Sequence, residues 1–540
     1  MRSCLQFFCL AVSLTQVIAW ARKDIRTSVS IPRTAPKNAG VPLENFVSFS
    51  IEFSYFPDFA GNKSHPNTFS NNLLENIASF SGSKPYVRVG GSSQDNAQFV
   101  ESQKEGAILN FATPTSDQPS NLTYGPAYFE SYQTWPGVHF VHGFNIAENT
   151  TEAHETQLAS VPYACKALRG WLLAWQIGNE PDLLYVMSER AASYDNAAYV
   201  AEWLNLTRGI DAAVKDACPD VAATKTDWYA PSFAAATDLP AVIEQTEAFR
   251  LGLDTNRNLK VFDAHHYQGT ATALGITLQG TLMNHTKTIA SVGFLTNVSN
   301  VLHHLPNWDP SLPFIVGEGN SLARQGRPGL SNTFGAALWG VDANLQMASK
   351  NIQRFHMHQG TNYRYQAWQP IETLRATKGT KPPYYGNIAV AAFLGNLTSP
   401  RNRPQVVELK LQDADEFQAG YAAFVRGRME RIMLINLRTY NTTAENSNYT
   451  STGPRGVDKY AVQVPSNCQG RQATLHRLLA NGSDAISGVT FDGYSYNWEL
   501  DNGKPVFLRN TTRGEVVKSD RRGLLNIEVL DSSAVMVTFQ

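Results

Sequence analysis

The chain has 540 residues, of which 43% are apolar and 11% aromatic, and its 45 basic residues nearly balance its 46 acidic ones. This balance gives no reason to expect a nucleic acid or an anionic membrane surface as a partner. The length and the apolar content predict two or more domains, or one large barrel with a smaller companion.

Residues 1–21 have the pattern of a secretory signal peptide. Arg2 precedes an apolar segment from Leu5 to Ala19, and Ala19 and Ala21 flank Trp20 as in an A-x-A cleavage site. Later runs are shorter than the roughly 18 to 20 apolar residues of a membrane-spanning helix. N-x-S/T triplets, the acceptor sites for N-linked glycans, occur at Asn62, Asn121, Asn149, Asn205, Asn284, Asn297, Asn396, Asn441, Asn448, Asn481 and Asn510. We therefore expect a secreted, extracellular protein with glycans at several of these sites.

Three cysteines remain after the predicted signal peptide: Cys165, Cys218 and Cys468. So small a number excludes a fold that depends on a disulfide framework. Cys165 and Cys218 lie in successive helix-like segments and could pair, which would leave Cys468 free.

The mature chain begins with an isolated predicted strand, residues 24–31, within an N-terminal segment 22–35. Eight apolar runs follow within residues 36–398, and their starts are 33 to 53 residues apart. The runs are Phe46–Phe53, Pro85–Val89, Val138–Ile146, Trp171–Ile177, Val221–Trp228, Lys260–His266, Pro313–Gly317 and Ile352–His358. Each interval has room for a strand, a helix and two loops, so the series predicts a (β/α)8 TIM barrel with its chemistry at the C-terminal strand ends.

The pattern changes after the eighth run. Short alternating segments such as Arg431–Asn436 and Ala534–Phe539 are separated by Gly, Asn, Asp and Pro clusters. Residues 399–540 therefore predict a C-terminal antiparallel β-sandwich domain. Because no low-complexity linker separates it from the barrel, we expect the two domains to pack together.

Two of the predicted strands end in a glutamate. Residues 175–181 (WQIGNEP) deliver Glu180 after the fourth run, and residues 313–319 (PFIVGEG) deliver Glu318 after the seventh. Across an eight-stranded barrel these positions face each other over the mouth. A retaining glycosidase needs two carboxyl groups about 5 to 5.5 Å apart, and an inverting one about 6.5 to 9.5 Å. We expect Glu180 to be the acid/base and Glu318 the nucleophile; the alternative is that both are solvated loop carboxylates.

Other strand-end residues suit supporting roles. Arg88 could keep the nucleophile ionised and Tyr267 could donate a hydrogen bond to it, while Asn179 could hold the sugar 2-hydroxyl. Their alternatives are a structural ion pair, a packed ring and a strand cap. The remaining residues expected to converge on the pocket are Glu52, Ser92, Asp95, Asn145, Trp228, His266, Tyr363 and Trp368.

Metal and cofactor chemistry finds little support. The histidine pairs His265-His266 and His356/His358 lie on different predicted strands, and a metal site needs three or four converging ligands. The chain has neither a G-x-S-x-G elbow nor a Walker-type glycine pattern. We expect no metal and no organic cofactor.

These motifs resemble those of retaining (β/α)8 glycosidases, and residues 87–92 (VRVGGS), 265–267 (HHY) and 360–363 (GTNY) look like glycoside hydrolase family 79, the heparanase and β-glucuronidase family, above all its secreted fungal members. The resemblance implies an N-terminal segment that joins the sandwich. It also implies a proton donor at Glu180 and a nucleophile at Glu318. It further implies that Glu52 and Asn179 bind sugar hydroxyls and that Tyr363 contacts the substrate carboxylate. With the other positions considered, the expected substrate-binding residues are Glu52, Gly91, Ser92, Asn179, His266, Tyr267, Arg324 and Tyr363.

One departure from the family pattern concerns that carboxylate. Family members of the heparanase type carry a Tyr-Gly-Gly-like run after the nucleophile, whereas this chain has Ala323, Arg324, Gln325 and Gly326 there. Arg324 could supply a charged donor instead, or it could be a solvated loop residue.

The resulting expectation is a retaining exo-β-glucuronidase that removes terminal β-linked glucuronic acid, or its 4-O-methyl form, from glycans such as arabinogalactan. The alternatives are a retaining enzyme for a neutral sugar, a heparanase-like endo-enzyme and an inactive glycan-binding cell-wall protein.

Overall fold

A computed structural model describes residues 26–191, 193–224, 227–234, 243–442, 450–451 and 453–539. The predicted signal peptide and the Asn448 acceptor site lie outside these residues. No helix within the described ranges is long and apolar enough to span a membrane.

The strands before residue 400 are β1 Arg26–Ser30, β2 Val47–Glu52, β3 Val87–Gly90, β4 Ala97–Phe99, β5 Ala107–Asn110, β6 Asn121–Tyr124, β7 Phe140–Phe144, β8 Leu172–Ile177, β9 Trp228–Phe233, β10 Leu259–Thr270, β11 Phe314–Ala323, β12 Phe355–Gln359, β13 Trp368–Gln369 and β14 Gly379–Thr380. The later strands are β15 Gln405–Glu408, β16 Gln418–Val425, β17 Arg428–Asn436, β18 Val457–Gln463, β19 Gln472–Leu479, β20 Thr490–Phe491, β21 Tyr494–Ser495, β22 Val506–Phe507, β23 Glu515–Lys518, β24 Leu524–Leu530 and β25 Ser533–Phe539. The α-helices are α1 Phe56–Ala60, α2 Thr68–Ser81, α3 Thr151–Ala167, α4 Asn196–Ala217, α5 Pro219–Ala222, α6 Gln245–Arg250, α7 His285–Leu302, α8 Phe334–Ser349, α9 Pro382–Leu394 and α10 Trp498–Asp501.

Eight parallel strands close into a barrel in the order β2, β3, β7, β8, β9, β10, β11, β12. This closed barrel confirms the predicted (β/α)8 fold. Seven of the eight predicted runs coincide with a barrel strand. Strands β10 and β11 are longer than predicted and extend to Thr270 and Ala323.

The prediction for the fifth strand was wrong. Residues Pro219–Ala222 form α5, because Pro219 and Asp220 are a favourable start for a helix. The strand begins only at Trp228, whose indole packs against Trp203 of α4 and donates to Asp211. Trp228 therefore lies at the N-terminal end of its strand, away from the expected pocket.

The barrel interior changes from apolar to polar along the strands. Near the N-terminal ends it is filled by a small apolar cluster of Val141, Ala174, Tyr229, Val261 and Ile315. Above this cluster lie buried polar side chains, among them Arg88, Gln176 and Asp263. The packed floor closes the barrel, and its polar upper part is open for chemistry at the C-terminal ends.

The C-terminal strands form the two sheets of a β-sandwich. One sheet has the order β15, β16, β17, β25, β19, β20, β21, β22, with β23 paired to β19, and the other has the order β1, β18, β24. The first strand of the described chain, β1, therefore lies in the sandwich, parallel to β18. An apolar core that includes Val29, Ile432, Val462 and Ile527 fills the space between the sheets.

The barrel and the sandwich share one continuous apolar core. Tyr421 and Met433, on the outer face of the large sheet, belong to the same buried cluster as residues of α8 and α9. The expected boundary at residues 398 and 399 falls in the connection between α9 and β15. Cys165 and Cys218 form a disulfide that ties α3 to the end of α4, as the sequence allowed, and Cys468 is free and buried.

Candidate active site

Glu180 is presented by a sharp turn after β8. Its backbone has φ +51°, a conformation that is costly for a residue with a side chain. The backbone N–H of Glu180 donates to Ser232 of β9 at 3.0 Å, and Pro181 then begins a short 3₁₀ turn. The turn projects Glu180 over the barrel mouth, where its side chain is 17% exposed.

Glu318 lies in the middle of β11, and not at its end as the motif suggested. The register with β10 shifts at this point, because Ala264 pairs with Val316 and the next residue, His265, pairs with Glu318. The extra residue is Gly317, and a Cβ there would lie 1.9 Å from Asp263 Oδ1. The bulge re-aims the following side chain, so Glu318 faces the cavity from within the strand.

The two glutamates face each other at short range. A carboxylate oxygen of Glu180, a carboxylate oxygen of Glu318 and a ring nitrogen of His265 all lie within 4.8 Å of one another. Nδ1 of His265 is 3.0 Å from Glu180 Oε1 and 4.0 Å from Glu318 Oε2. This separation suits a retaining pair and is too small for the water that an inverting pair must admit.

Glu318 is surrounded by groups that favour its anion. Arg88 Nη1 donates to Oε2 at 2.6 Å and Tyr267 Oη donates to Oε1 at 2.7 Å, while His358 Nδ1 lies 3.6 Å from Oε2. Burial raises the pKa of this carboxyl, but the charges of His358 and Arg88 and the hydrogen bond from Tyr267 outweigh burial and hold the pKa below its usual range. Glu318 is therefore an ionised carboxylate at any ordinary pH.

Glu180 has the opposite electrostatics. Burial raises the pKa of its carboxyl, and the nearby negative charge of Glu318 raises it further. Arg88 and His358 oppose this effect but do not cancel it. The site therefore holds one carboxylic acid and one carboxylate side by side, the arrangement that separates acid and base roles in glycosidases.

Arg88 connects the two halves of the site. Its guanidinium is fully buried and donates to Gln176 at 2.7 Å, to Ser50 at 3.1 Å and to Asn179 Oδ1 at 2.9 Å, besides Glu318. Because Asn179 Oδ1 accepts from Arg88, the orientation of this amide is fixed and its NH₂ group remains as the donor. Asp95 accepts from the backbone N–H of Asn179 at 2.9 Å and so holds the same turn from below.

Glu52, the last residue of β2, forms a second anionic centre. Its carboxylate accepts hydrogen bonds from Ser93, Gln118, His358 and Tyr363. Burial raises the pKa of Glu52, but the hydrogen bond and charge of His358 and the hydrogen bond of Ser93 lower it overall. A Cβ at Gly91, which has φ +103°, would lie 2.6 Å from Glu52 Oε1, so the close approach of this backbone requires glycine.

A cavity of about 1040 Å³ opens above these groups. Its deep part is polar and includes Glu52, Gln118, Glu180, Glu318 and His358. Its outer part also has apolar side chains, namely Leu183, Val186, Met187, Ile276 and Phe294. The volume exceeds what one sugar ring needs, so the cavity has room for part of an attached group.

A strap, defined as residues 111–120 between β5 and β6, contributes Gln118 to the cavity lining beside Glu52. Asp117 of the strap forms ion pairs with both Arg364 and Arg375, and its backbone carbonyl accepts from Tyr55 Oη at 2.5 Å. The neighbouring Gln118 donates from Nε2 to Glu52 at 3.1 Å. The clamp on Asp117 thus holds Gln118 against the end of the site that lies opposite Glu180.

The structure brings most of the predicted site residues together. Glu52, Ser92, Glu180, His266, Tyr267, Glu318 and Arg324 line the cavity. Gly91, Arg88 and Asn179 support this lining through the contacts given above. His266 is also tied to α7, because its Nε2 is 2.8 Å from the Ser291 hydroxyl.

Other expected positions lie outside the cavity lining. Tyr363 is 1% exposed and its hydroxyl donates to Glu52, so it braces Glu52. Trp368 is buried and its indole donates to Ser70 of α2, and Asn145 accepts from the backbone of Glu148. Tyr363, Trp368 and Asn145 therefore make internal contacts in this structure. Trp228 also lies away from the cavity, because its strand begins later than predicted.

Glu180, His265 and Glu318 also have a spacing that a metal ion could accept. Glu318 already receives hydrogen bonds on both oxygens, from the buried cation Arg88 and from Tyr267. A divalent cation beside a fixed guanidinium would meet like-charge repulsion. The cluster is better suited to an acid and a nucleophile than to a metal.

Two curated fungal proteins match nearly the whole chain. A β-glucuronidase of Aspergillus niger is 47% identical over 520 residues, which cover 95% of this chain and 94% of that protein. A β-glucuronidase of Neurospora crassa is 44% identical over 545 residues, which cover 95% and 96%. Residues 420–536 match the model of the glycosyl hydrolase family 79 C-terminal beta domain. The chain belongs to glycosyl hydrolase family 79.

Solved structures agree with this family at the level of the fold. A 4-O-α-L-rhamnosyl-β-D-glucuronidase from Fusarium oxysporum superposes with a TM-score of 0.74 at 21% identity, covering 95% of this chain and 100% of that one. A family 51 α-L-arabinofuranosidase from Bifidobacterium longum superposes with a TM-score of 0.59 at 12% identity, covering 95% and 99%. As a family 79 member, the protein is a glycoside hydrolase.

The sequence did not predict the contacts of three site residues. The sequence suggests His265 and His358 only as metal ligands, yet His265 contacts Glu180 and His358 lies between Glu52 and Glu318. Alternation along β12 could have shown that His356 and His358 share the interior face of the barrel. Gln118 comes from a strap whose composition gives no sign of where it folds.

Proposed function

We propose that the protein is a secreted, retaining exo-β-glucuronidase that hydrolyses terminal β-linked glucuronic acid, 4-O-methylated or not, from glycans such as arabinogalactan. The observation that carries this proposal is the pair Glu180 and Glu318, with oxygens within 4.8 Å and pKa values shifted in opposite directions. The two β-glucuronidases of Aspergillus niger and Neurospora crassa support the choice of sugar.

In the first step Glu318 attacks the anomeric carbon. The new bond forms between this carbon and a carboxylate oxygen of Glu318 while the bond to the leaving oxygen breaks, and Glu180 gives its proton to that oxygen. The second oxygen of Glu318 stays hydrogen-bonded, and Arg88 and Tyr267 hold the carboxylate in position for attack. The product of this step is a glycosyl ester of Glu318 and the free aglycone.

In the second step a water molecule attacks the same carbon. Glu180, now a carboxylate, takes a proton from the water, and the bond between Glu318 and the sugar breaks. Glu318 returns as a carboxylate and Glu180 as an acid. Two inversions at one carbon give net retention, and the reaction needs no metal or organic cofactor.

Recognition of the uronate carboxylate is assigned to Arg324. Its side chain lines the cavity, is exposed and makes no hydrogen bond or ion pair with other described residues. Tyr363 is unsuited to this contact, because its hydroxyl is already bonded to Glu52. A guanidinium supplies two charged donors to a carboxylate, so Arg324 replaces the Tyr-Gly-Gly-like run of other members.

The exo mode of action is supported by the strap. The sugar lies on Glu318 between Glu180 on one side and Glu52 with Gln118 on the other. Glu180 must face the leaving group, so Glu52 and Gln118 face the non-reducing end of the sugar. In this proposal the strap, held by the ion pairs of Asp117, closes that end, so the cavity takes a terminal sugar rather than a continuing chain.

Secretion and glycosylation remain part of the proposal. The signal-like segment at residues 1–21 supports export. The acceptor asparagines that are exposed are Asn62, Asn121, Asn149, Asn205, Asn297, Asn396, Asn481 and Asn510. Asn284 and Asn441 are buried, and Asn284 caps α7 while Asn441 accepts from Ser483, so we assign the glycans to exposed sites.

The test is the release of p-nitrophenol from aryl β-glycosides, with Glu318→Gln as control. Hydrolysis of the glucuronide by the wild type and its loss in the variant are expected. Hydrolysis of the glucoside or galactoside but not the glucuronide would replace the proposal with a neutral-sugar enzyme. Cleavage inside a uronate polymer would indicate an endo-enzyme, and binding without turnover a glycan-binding protein.

A further inference from the structure

One wall of the cavity is built by the chain segment that follows β10. This aglycone wall, defined as residues 275–294, comprises a π-helical turn, Leu278–Leu282, and the first half of α7. Its residues Ile276, Thr281, Lys287 and Phe294 line the cavity. The wall follows the sixth barrel strand, whereas Glu52 and the strap follow the first and second, so the wall lies across the mouth from the closed end.

The leaving group must occupy this half of the cavity. The closed end beside Glu52 and Gln118 takes the non-reducing end of the sugar, and Glu180 protonates the oxygen on the other side. Beyond that oxygen the cavity is bounded by the aglycone wall and by the turn after Glu180, which contributes Val186 and Met187. The position of the aglycone wall therefore decides which leaving groups fit.

The aglycone wall is fastened to the C-terminal sandwich through Gln279. Its Oε1 accepts from the backbone N–H of Thr439 at 2.8 Å and from the Thr439 hydroxyl at 3.0 Å. Its Nε2 donates to the Leu437 carbonyl at 3.1 Å and, within the wall, to the Met283 carbonyl at 2.8 Å. One amide thus joins the turn of the wall to the segment that follows β17.

A second attachment lies where α7 begins. The backbone N–H of His285 donates to the Glu416 carbonyl of the sandwich at 2.7 Å. The His285 ring lies between Asp342 of α8, at 2.9 Å, and Glu408 of β15, at 3.5 Å. The cavity-lining residues Gly280 and Thr281 fall between the two attachments, so both ends of this stretch are held by the sandwich.

The barrel also holds this stretch, because Leu278, Leu282 and Met283 are buried in its apolar core. Gln268 of β10 donates to the Thr281 carbonyl at 2.7 Å, and His266 is bonded to Ser291. Gln279 itself does not line the cavity. Its loss therefore leaves the reacting groups in place and removes only the attachment of the turn to the sandwich.

We propose that the sandwich contributes to substrate recognition in the active site. Gln279 is the positioning residue through which the sandwich holds the aglycone wall in place for large leaving groups. The inference rests on the proposed glucuronidase activity and extends it to substrate choice. A small aryl group touches little of the wall, whereas an oligosaccharide extends across it. Release of the wall raises the KM for the large substrate and has little effect on the chemical step.

The experiment compares Gln279→Ala with Asn72→Ala. Asn72 of α2 donates from Nδ2 to the Asn502 carbonyl at 2.9 Å, so its variant also removes an amide hydrogen bond between barrel and sandwich, at a place remote from the wall. The substrates are p-nitrophenyl β-glucuronide and a tetrasaccharide with a terminal β-glucuronosyl residue. Circular dichroism and melting curves check that both variants fold.

For Gln279→Ala we expect the KM for the tetrasaccharide to rise about 5- to 10-fold, which corresponds to about 1 to 1.4 kcal/mol of lost binding. The kcat for both substrates and the KM for the aryl glucuronide should change less than about 2-fold, and Asn72→Ala should leave all four constants unchanged. Thr439→Val, a change on the sandwich side only, should raise the same KM by a smaller factor.

Three outcomes would overturn the inference: unchanged constants in Gln279→Ala, an equal loss on both substrates, or the same KM effect in Asn72→Ala. Failure of the wild type to hydrolyse either glucuronide would instead remove the proposed function. In that event the inference is tested on whichever β-glycoside pair the wild type does hydrolyse.

Discussion

Arg88 Nη1 lies 2.6 Å from Glu318 Oε2, and both side chains are buried. The pair joins the second barrel strand to the seventh, and the same guanidinium also binds Asn179 beside Glu180. A buried ion pair is costly to desolvate, so one with this many satisfied hydrogen bonds is best explained by its effect on Glu318, the proposed nucleophile.

Replacement of Arg88 by Lys should separate charge from geometry. Lysine keeps a cation but cannot reach Glu318, Gln176 and Asn179 at once, because it lacks the planar fork. We expect kcat/KM on an aryl glucuronide to fall about 100-fold, the typical loss for one charge-stabilising donor. The acid limb of the pH profile should also move to higher pH, since the Glu318 carboxylate loses part of its stabilisation.

The control is Arg169→Lys, because Arg169 pairs with Asp220 on the surface. It should have wild-type kinetics and melting temperature. A wild-type kcat/KM in Arg88→Lys would show that Arg88 serves only the packing of the barrel.

The pH dependence of kcat/KM should be bell-shaped. The acid limb follows protonation of Glu318, whose pKa is held below its usual range, and the alkaline limb follows deprotonation of Glu180, whose pKa is raised. Activity should therefore extend below about pH 4 on the acid side. On the alkaline side it should decline only at a pH above about 4.3, the usual pKa of a glutamate carboxyl. In Glu180→Gln the alkaline limb should disappear on a substrate with a good leaving group; a limb that persists must belong to another residue.

Anion rescue should distinguish the two glutamates. Glu180→Ala loses the proton donor of the first step and the base of the second, so hydrolysis of poor leaving groups should fall by about 10² to 10⁴. With 2,4-dinitrophenyl β-glucuronide the first step needs no acid, and azide should restore turnover and yield a β-glucuronosyl azide. The same treatment of Glu318→Ala tests the assignment. If Glu318 is the nucleophile, azide takes its place in this variant and attacks the β-glucuronide directly, so the product should be an α-glucuronosyl azide. A β-azide from Glu318→Ala would reverse the roles.

The sequence predicted the barrel and the positions of both glutamates because each of these features has a local sequence pattern. Eight apolar runs at regular intervals specify eight strands, and the residues after the fourth and within the seventh carry the carboxylates. The prediction for the fifth run was wrong because Val221 and its neighbours have the pattern of a strand, whereas a helix begins at Pro219 and Asp220. Here the helix-start signal decided the structure over β-propensity.

The residues that were missed depend on tertiary structure. The bulge at Gly317 shifts the pairing of β10 and β11, so neither strand alone reveals that His265 meets Glu180. Gln118 reaches Glu52 only because Asp117 is clamped by two arginines more than 240 residues away along the chain. Such contacts join distant segments, and a single sequence carries no periodic signal for them.

Arg324→Ala should weaken binding of the uronate specifically. Loss of an exposed, charge-assisted contact of about 1.4 kcal/mol corresponds to a roughly tenfold higher KM for the glucuronide. Hydrolysis of an aryl β-glucoside, where measurable, should be unaffected because that sugar has no carboxylate. The matched control is Lys287→Ala, since Lys287 and Arg324 are the lysine and the arginine among the described residues of the cavity lining. A KM increase in Lys287→Ala and not in Arg324→Ala would transfer the role to Lys287.

His285→Gln should change the pH dependence of stability. Burial disfavours the imidazolium, but the carboxylates of Asp342 and Glu408 outweigh burial and raise the pKa of His285 to about 10. Tyr421 donates to Asp342, and Lys350 pairs with Glu408, so neither carboxylate is free to leave the cluster. Because the folded pKa lies above the unfolded value of about 6.5, the stability from this cluster is fully present below pH 6.5 and is lost between pH 6.5 and 10. The melting temperature of the wild type should therefore exceed that of His285→Gln most at pH 6, and the difference should shrink toward pH 10. A difference that stays constant over this range would mean that the ring stabilises the fold without its charge.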